Sequence, residues 1–153
     1  GSSAFIPPLE GLASVPYLSN ENLFDLETLP SSMIILGAGP IGMEMASALN
    51  RLGVAVTVVE MSSRIMIRED EELAGLLADH LVSEGISLLM GTKAVRAAQK
   101  NGGITLTVDG SSTSRSGNVG SISSSAPLIL GGKPNASGDW YQGVMDEVSI
   151  STA

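Results

Sequence analysis

The sequence predicts an α/β fold with a parallel sheet and a small antiparallel hairpin. Three observations lead there. Strand-like and helix-like segments alternate between residues 30 and 90, the order expected of βαβ units. Two of the strand-like runs are nearly continuous in apolar residues, Met33–Leu36 throughout and Ala55–Val59 but for Thr57, as parallel strands covered on both faces are. Lys93–Ala98 and Ile104–Val108 instead alternate, and they flank Lys100-Asn101-Gly102-Gly103, a hairpin signal.

The elements follow in order. Residues 6–11 form an extended lead-in, because Pro7 and Pro8 oppose helix. Ser19 or Asn20 can cap a short helix through about Leu26, which must end before Pro30. The strand Met33–Leu36 leads into a helix over Pro40–Leu52. Pro40 suits its first turn, where a missing N–H costs nothing, and Gly53 stops it. Ile41, Met45, Ala48, Leu49 and Leu52 recur at helical spacing and predict its buried face. After the strand Ala55–Val59, Asp70 caps a second helix through Ser83, with Glu71 and Glu72 in a first turn that favours acids. Leu73, Leu76, Leu77, His80 and Leu81 predict its inner stripe. Gly85 ends it, and Ile86–Met90 is the next strand.

Composition narrows the function. The chain has 153 residues, enough for one domain with a real core. No apolar run approaches the roughly 18–20 residues of a membrane span. A net charge of −8 argues against nucleic acid and against an anionic membrane surface. There is no cysteine, so these residues supply no disulfide, thiolate metal site or dithiol redox centre. The single histidine, His80, cannot build a multi-histidine metal site and reads as a structural or half-exposed residue. The first residues show no secretory signal, so a cytoplasmic location is expected.

Gly37, Gly39 and Gly42 form G-x-G-x-x-G between a strand and a helix. In that setting the first glycine permits a tight turn and the second lets the backbone approach a pyrophosphate. The third lets the helix lie close to the strand. The helix then directs its free N–H groups and positive dipole end at the phosphates. Glu60 closes the second strand, where a carboxylate accepts hydrogen bonds from the adenosine ribose and repels a 2′-phosphate. Glu60 therefore favours NAD over NADP. Arg64 is a weak counter-signal and reads as a solvated charge. The pattern predicts a Rossmann-like site for a small-molecule dinucleotide, with Gly37, Ala38, Gly39, Pro40, Ile41, Gly42 and Glu60 binding the cofactor. Glycines that serve only helix–strand packing are the alternative.

Beyond the motif, residues 1 to about 109 closely resemble the NAD-binding domain of the flavin-dependent pyridine nucleotide-disulphide oxidoreductases, of the dihydrolipoamide dehydrogenase and mercuric reductase type. The stretches "GAGPIGMEMA", "VTVVE" and "REDEELAGLL…EGI" carry the resemblance, in the family's order and spacing. It implies that Glu44 reaches the nicotinamide carboxamide; its other reading is a solvated helix charge. It places Pro40 where several members carry an aromatic gate, and Ile41 near the pyrophosphate and nicotinamide. It also implies a flavin domain with its own glycine motif, usually a redox-active cysteine pair, and a dimerisation domain with a His–Glu pair. None of these is found in the sequence. NAD is thus the expected cofactor, FAD is not expected in this chain, and no catalytic residue or metal ligand is assigned.

From about Gly110 the composition shifts. Gly110–Ser125 is rich in Ser, Gly and Thr and reads as loop, linker or weak strands. "APLILGGKPNASGDWYQGVMDEVSIST" resembles the last strands of laminin-G-like or concanavalin-like jelly rolls, but is too short to close that fold. "LILGGKPN" (Leu128–Asn135) also imitates the strand and glycine that end the family's NAD domain. The expectation is a chimera: a dinucleotide-binding domain over residues 1–109, and a linker and β segment over 110–153 packed on it. Leu128–Leu130 is expected to supply a parallel strand beside Met33–Leu36, whose apolar edge is otherwise open. Gly143–Ile150 is then a hairpin partner or an intermolecular strand, and strand exchange is the expected route to a homo-oligomer. Trp140 and Tyr141 read as cover for an apolar patch rather than a sugar platform. Asp146 and Glu147, pointing to opposite faces of a strand, read as solvated rather than calcium-binding. Three functions remain open: an NAD(H)-binding domain inert by itself, a fragment of a reductase that needs further domains, and a carbohydrate-binding or adhesive module. The first is the expected one.

Overall fold

The structure, a computed structural model, describes residues 7–19, 22–100, 103–110, 120–124 and 128–129. The strands are β1 (Tyr17–Leu18), β2 (Ser32–Leu36), β3 (Ala55–Val59), β4 (Ser87–Leu89), β5 (Thr92–Lys100), β6 (Gly103–Gly110), β7 (Gly120–Ser124) and β8 (Leu128–Ile129). The helices are α1 (Pro40–Arg51), between β2 and β3, and α2 (Glu71–Ser83), between β3 and β4. One sheet runs β1-β8-β2-β3-β4, with every pair parallel. β5, β6 and β7 make a second, antiparallel sheet. The fold is the α/β class expected, a Rossmann-like parallel sheet with an antiparallel hairpin and added C-terminal strands.

The continuous apolar strands explain the layering. Met33 and Ile35 of β2 pack into one cluster with Ala46 and Leu49 of α1 and Ala74 and Leu81 of α2. Ile34 and Leu36 point the other way, to a cluster with Ala97, Ile104, Leu106 and Val108 of the antiparallel sheet. Helices thus cover one face of the parallel sheet and the antiparallel sheet covers the other. The lead-in adds Leu9, Leu12 and Val15 to the second cluster. It is pinned there by the Ala97 N–H, which donates to the Glu10 carbonyl at 2.8 Å. Gly11 sits against the same strand with φ 77°, and a Cβ on it would collide with the Ala97 carbonyl oxygen.

Both helices are rotated from the faces their large apolar residues mark. α1 buries Gly42, Met43, Ala46 and Leu49, while Ala48 is exposed and Leu52 is 64% exposed. Close approach turns the helix: Gly42 and Ala46 let it lie against the strands beside Met43 and Leu49, while Ile41 and Met45 of the expected face pack at its margin. On α2, Ala74 and Leu81 are buried with Leu77 and Ala78 packed beside them. That is also a helical stripe, but it leaves Leu73 66% and Leu76 62% exposed, with His80 exposed too. Asp70 caps α2 as expected, its Oδ1 accepting the Leu73 N–H at 3.0 Å. Nearer the start, a single 3-10 turn over Leu23–Asp25 replaces the longer capped helix, and the Ser19 main-chain carbonyl accepts the Leu23 N–H. Asn20 lies outside the described residues.

β8 lies between β1 and β2, with Ile129 opposite Ile35 and Leu128 opposite Tyr17. The tail therefore supplies the parallel strand that the open edge of β2 calls for. Gly120–Ser124 takes the weak-strand alternative and pairs with β6. Leu130, Trp140, Tyr141, Asp146, Glu147 and the Gly143–Ile150 run lie outside the described residues, as does the Asn101-Gly102 turn. Among the described residues, no helix is long and apolar enough to cross a membrane.

Candidate functional site

β2 delivers the chain to the glycine turn. The Gly37 N–H donates to the Val59 carbonyl at 2.8 Å, the last bond before the chain leaves the sheet. Gly37 then turns at φ 106°, a conformation that strains any side-chain-bearing residue. Gly39 is the N-cap of α1 in an extended conformation, and its carbonyl accepts the Met43 N–H at 3.0 Å. The first turn has Pro40 at its start, no side-chain cap and no acid. The orphan N–H groups and positive dipole end of α1 are left without an anionic partner from this turn's own side chains.

Glu60 ties this turn to the end of β3. It is only 7% exposed, and each of its polar atoms is held. Its Oε2 accepts the Ala38 N–H at 2.8 Å and its Oε1 the Ser62 N–H at 2.6 Å. Its own N–H donates to the Leu89 carbonyl, and its carbonyl accepts the Thr92 N–H. A buried carboxylate is tolerated when it is hydrogen-bonded in this way. The sequence reading gave Glu60 a ligand role alone; the structure adds a structural one.

Residues 61–69 arch from β3 to α2 over the turn. The Met66 N–H donates to the Ala38 carbonyl at 2.8 Å, so both polar groups of Ala38 are clamped. Met66 has φ 50° and is the non-glycine residue with positive φ among those described. Arg64 is not a solvated charge. Its guanidinium donates to the carbonyls of Met66 at 2.8 Å, Ile67 at 2.9 Å, Glu69 at 3.0 Å and Ile65 at 3.3 Å. Sequence reasoning missed this, because carbonyls converge on a guanidinium only once the loop is folded.

The structure thus brings Gly37, Ala38, Gly39, Pro40, Ile41, Gly42 and Glu60 together at the carboxyl end of the parallel sheet. Glu44 is exposed one turn further along α1, on an open groove shared with Arg51 of α1 and His80 of α2. At the far end of that groove Arg51 meets Glu84 at 2.8 Å, and His80 stands 3.4 Å from the same carboxylate oxygen. The Arg51 hydrogen bond holds the Glu84 carboxyl below its ordinary value, against partial burial that works the other way. Among the described residues, no group of three His, Asp or Glu side chains is arranged to hold a metal ion.

The sequence profile of the pyridine nucleotide-disulphide oxidoreductases matches residues 1–125. A dihydrolipoyl dehydrogenase from Acholeplasma laidlawii is 30% identical over 99% of this chain and 44% of its own length. A mercuric reductase from Lysinibacillus sphaericus is 29% identical over 88% of this chain and 27% of its own length. Among solved structures, the Cu(II) complex of the HOCl-induced flavoprotein disulfide reductase RclA from Escherichia coli superimposes with a TM-score of 0.75. It is 26% identical and covers 92% of this chain and 31% of its own. The chain therefore spans less than half the length of these relatives. The likeness also reaches past residue 109, where the sequence reading ended it. β7 and β8 complete the two sheets, so a foreign tail is not needed to account for them.

Proposed function

Because the chain belongs to the pyridine nucleotide-disulphide oxidoreductase family, we propose that it holds NAD(H), with residues 37–42 on the pyrophosphate and Glu60 on the adenosine ribose. The observation that carries this reading is the position of the Glu60 carboxylate, 2.8 Å from the Ala38 N–H and buried at the mouth of the turn. An ionised carboxylate offers about four lone-pair sites. Two serve Ala38 and Ser62, which leaves two for vicinal ribose hydroxyls. A 2′-phosphate would bring further negative charge against a buried carboxylate, so NAD is favoured over NADP. Gly39 has no side chain in the path of the pyrophosphate, and the uncapped first turn of α1 directs N–H groups at it.

When bound, the nicotinamide supplies a hydride donor or acceptor; this chain's residues hold and orient it. On this reading Ile41 and Glu44 serve its nicotinamide end, with Glu44 the hydrogen-bond partner for the carboxamide. With no cysteine, these residues supply no thiol to the reaction, and the chain by itself is a binding module rather than a complete reductase. The small share of the relatives' length that it spans favours a second reading, in which the same site serves a longer flavoprotein reductase.

Calorimetric titration of the full chain with NADH and with ADP-ribose tests the proposal. Heat with both ligands supports it, and the absence of heat with either, in a sample folded by circular dichroism, removes it.

A further inference from the structure

Arg64 stands close enough in sequence to Glu60 to pass for a ligand of a 2′-phosphate. Its contacts argue otherwise. The planar guanidinium is spent on four backbone carbonyls in one loop. Arginine suits this because its donors form a rigid fork, whereas a lysine ammonium is a point charge on a flexible stem. Two of those carbonyls, of Met66 and Ile67, flank a peptide that no regular element supports, and Met66 is held at φ 50°. For a bulky residue that conformation is strained, so something must over-determine it. Three contacts hold it: the Met66 carbonyl accepts both the Arg64 guanidinium and the Glu69 N–H at 2.8 Å, and the Met66 N–H donates to the Ala38 carbonyl.

The consequence runs to the site. Ala38 is fixed on its carbonyl side by Met66 and on its N–H side by Glu60. Glu60 is fixed in turn by the Ser62 N–H, from the same loop. We infer that Arg64 is a positioning residue: by gathering the carbonyls of the 61–69 loop it sets Ala38 and the Glu60 carboxylate in register with the adenosine ribose, and it does not bind phosphate. This rests on the dinucleotide reading above.

The test is a double-mutant cycle on the full chain, with Arg64→Ala, Glu60→Gln and the pair, each titrated with NADH and NADPH. In a folded sample, Arg64→Ala should weaken NADH about tenfold, comparable to losing one charged hydrogen bond, and weaken NADPH by no more than that, because no phosphate contact is lost. In the Glu60→Gln background the same substitution should have a smaller further effect, because the part of its route that runs through Glu60 is already broken. Arg64→Lys should not rescue NADH binding, since an ammonium cannot span the four carbonyls. That variant also serves where Arg64→Ala fails to fold. A selective loss of NADPH affinity, an unchanged NADH affinity, or full additivity with Glu60→Gln would each overturn the inference. If the unsubstituted chain binds NADH but Arg64 proves neutral, only this inference falls. If it binds neither nucleotide, the dinucleotide reading falls and this one with it.

Discussion

The two helices begin at the same end of the parallel sheet and are finished in opposite ways. α2 is closed by its own side chains: Asp70 caps the Leu73 N–H, and Glu71 and Glu72 fill the first turn. α1 begins on Gly39, with no side-chain cap and no acid in the turn. A side-chain cap stabilises a helix by about 1 kcal/mol, and acids near the N-terminus add about 0.3–1 kcal/mol each. α1 forgoes both, at the place where the chain also carries Gly37 at positive φ and a buried Glu60. One terminus is completed by the fold. The other has no such cap, and on the proposed reading a dinucleotide's pyrophosphate completes it.

The sharpest way to break that contrast is to dress α1 like α2. Pro40→Glu puts an acid in the first turn of α1, at an exposed position. Two like charges about 6 Å apart at an effective dielectric near 20 repel by about 3 kcal/mol. NADH affinity should fall by roughly two orders of magnitude, while the melting temperature changes little once the lost proline is allowed for. Unaltered NADH affinity in a titration of this variant would mean that the open turn is not where the pyrophosphate sits.

Glu60→Ala is next in size. It removes a ribose acceptor and leaves the Ala38 and Ser62 N–H groups without their partner. NADH affinity should drop by about 1–3 kcal/mol. Thermal unfolding should show a loss of similar size, which a purely ligand-facing carboxylate would not cause. If melting is unaffected, the carboxylate is not part of the fold's own hydrogen bonding.

Asp70→Ala is the converse control and smaller. It should cost about 1 kcal/mol of stability, read by chemical denaturation, and leave NADH affinity where it was. A fall in NADH affinity would show that the two termini are coupled.

The same contrast explains what could be read from the sequence. The glycine turn, the acid at the end of β3 and the Asp70 cap are short-range patterns whose physics lies within a few residues, and they fall where expected. The strand over Leu128–Ile129 was legible for another reason: the apolar edge of β2 has to be covered, and an apolar run was at hand. The helix faces were not legible, because α1 meets the sheet through Gly42 and Ala46, and small residues leave little trace in a pattern read from large ones. Leu73 and Leu76 misled for the same reason on α2. The work of Arg64 was hidden because its partners are carbonyls, which every residue has; only the folded loop decides which ones converge.

The far ends of the two helices supply the smallest effect and a boundary on the comparison. Where the N-termini differ, the C-termini are joined: Arg51 of α1 meets Glu84 beyond α2 at 2.8 Å, and the Asn50 side chain donates to the Glu84 carbonyl at 2.9 Å. The Arg51 hydrogen bond lowers the Glu84 carboxyl from its ordinary value of 4.5. A group whose folded value is depressed binds fewer protons folded than unfolded, so its stabilisation is complete above 4.5 and is lost as pH falls through the folded value. Arg51 is 60% exposed, so solvent screening keeps the pair weak. Arg51→Met should therefore lower the melting temperature slightly at neutral pH, and that difference should shrink as the pH is taken below 4.5. NADH affinity should not change, because the pair lies at the opposite end of α1 from the open turn. A difference that persists undiminished into acid would mean that Arg51 contributes by packing its stem along α1 rather than by holding Glu84.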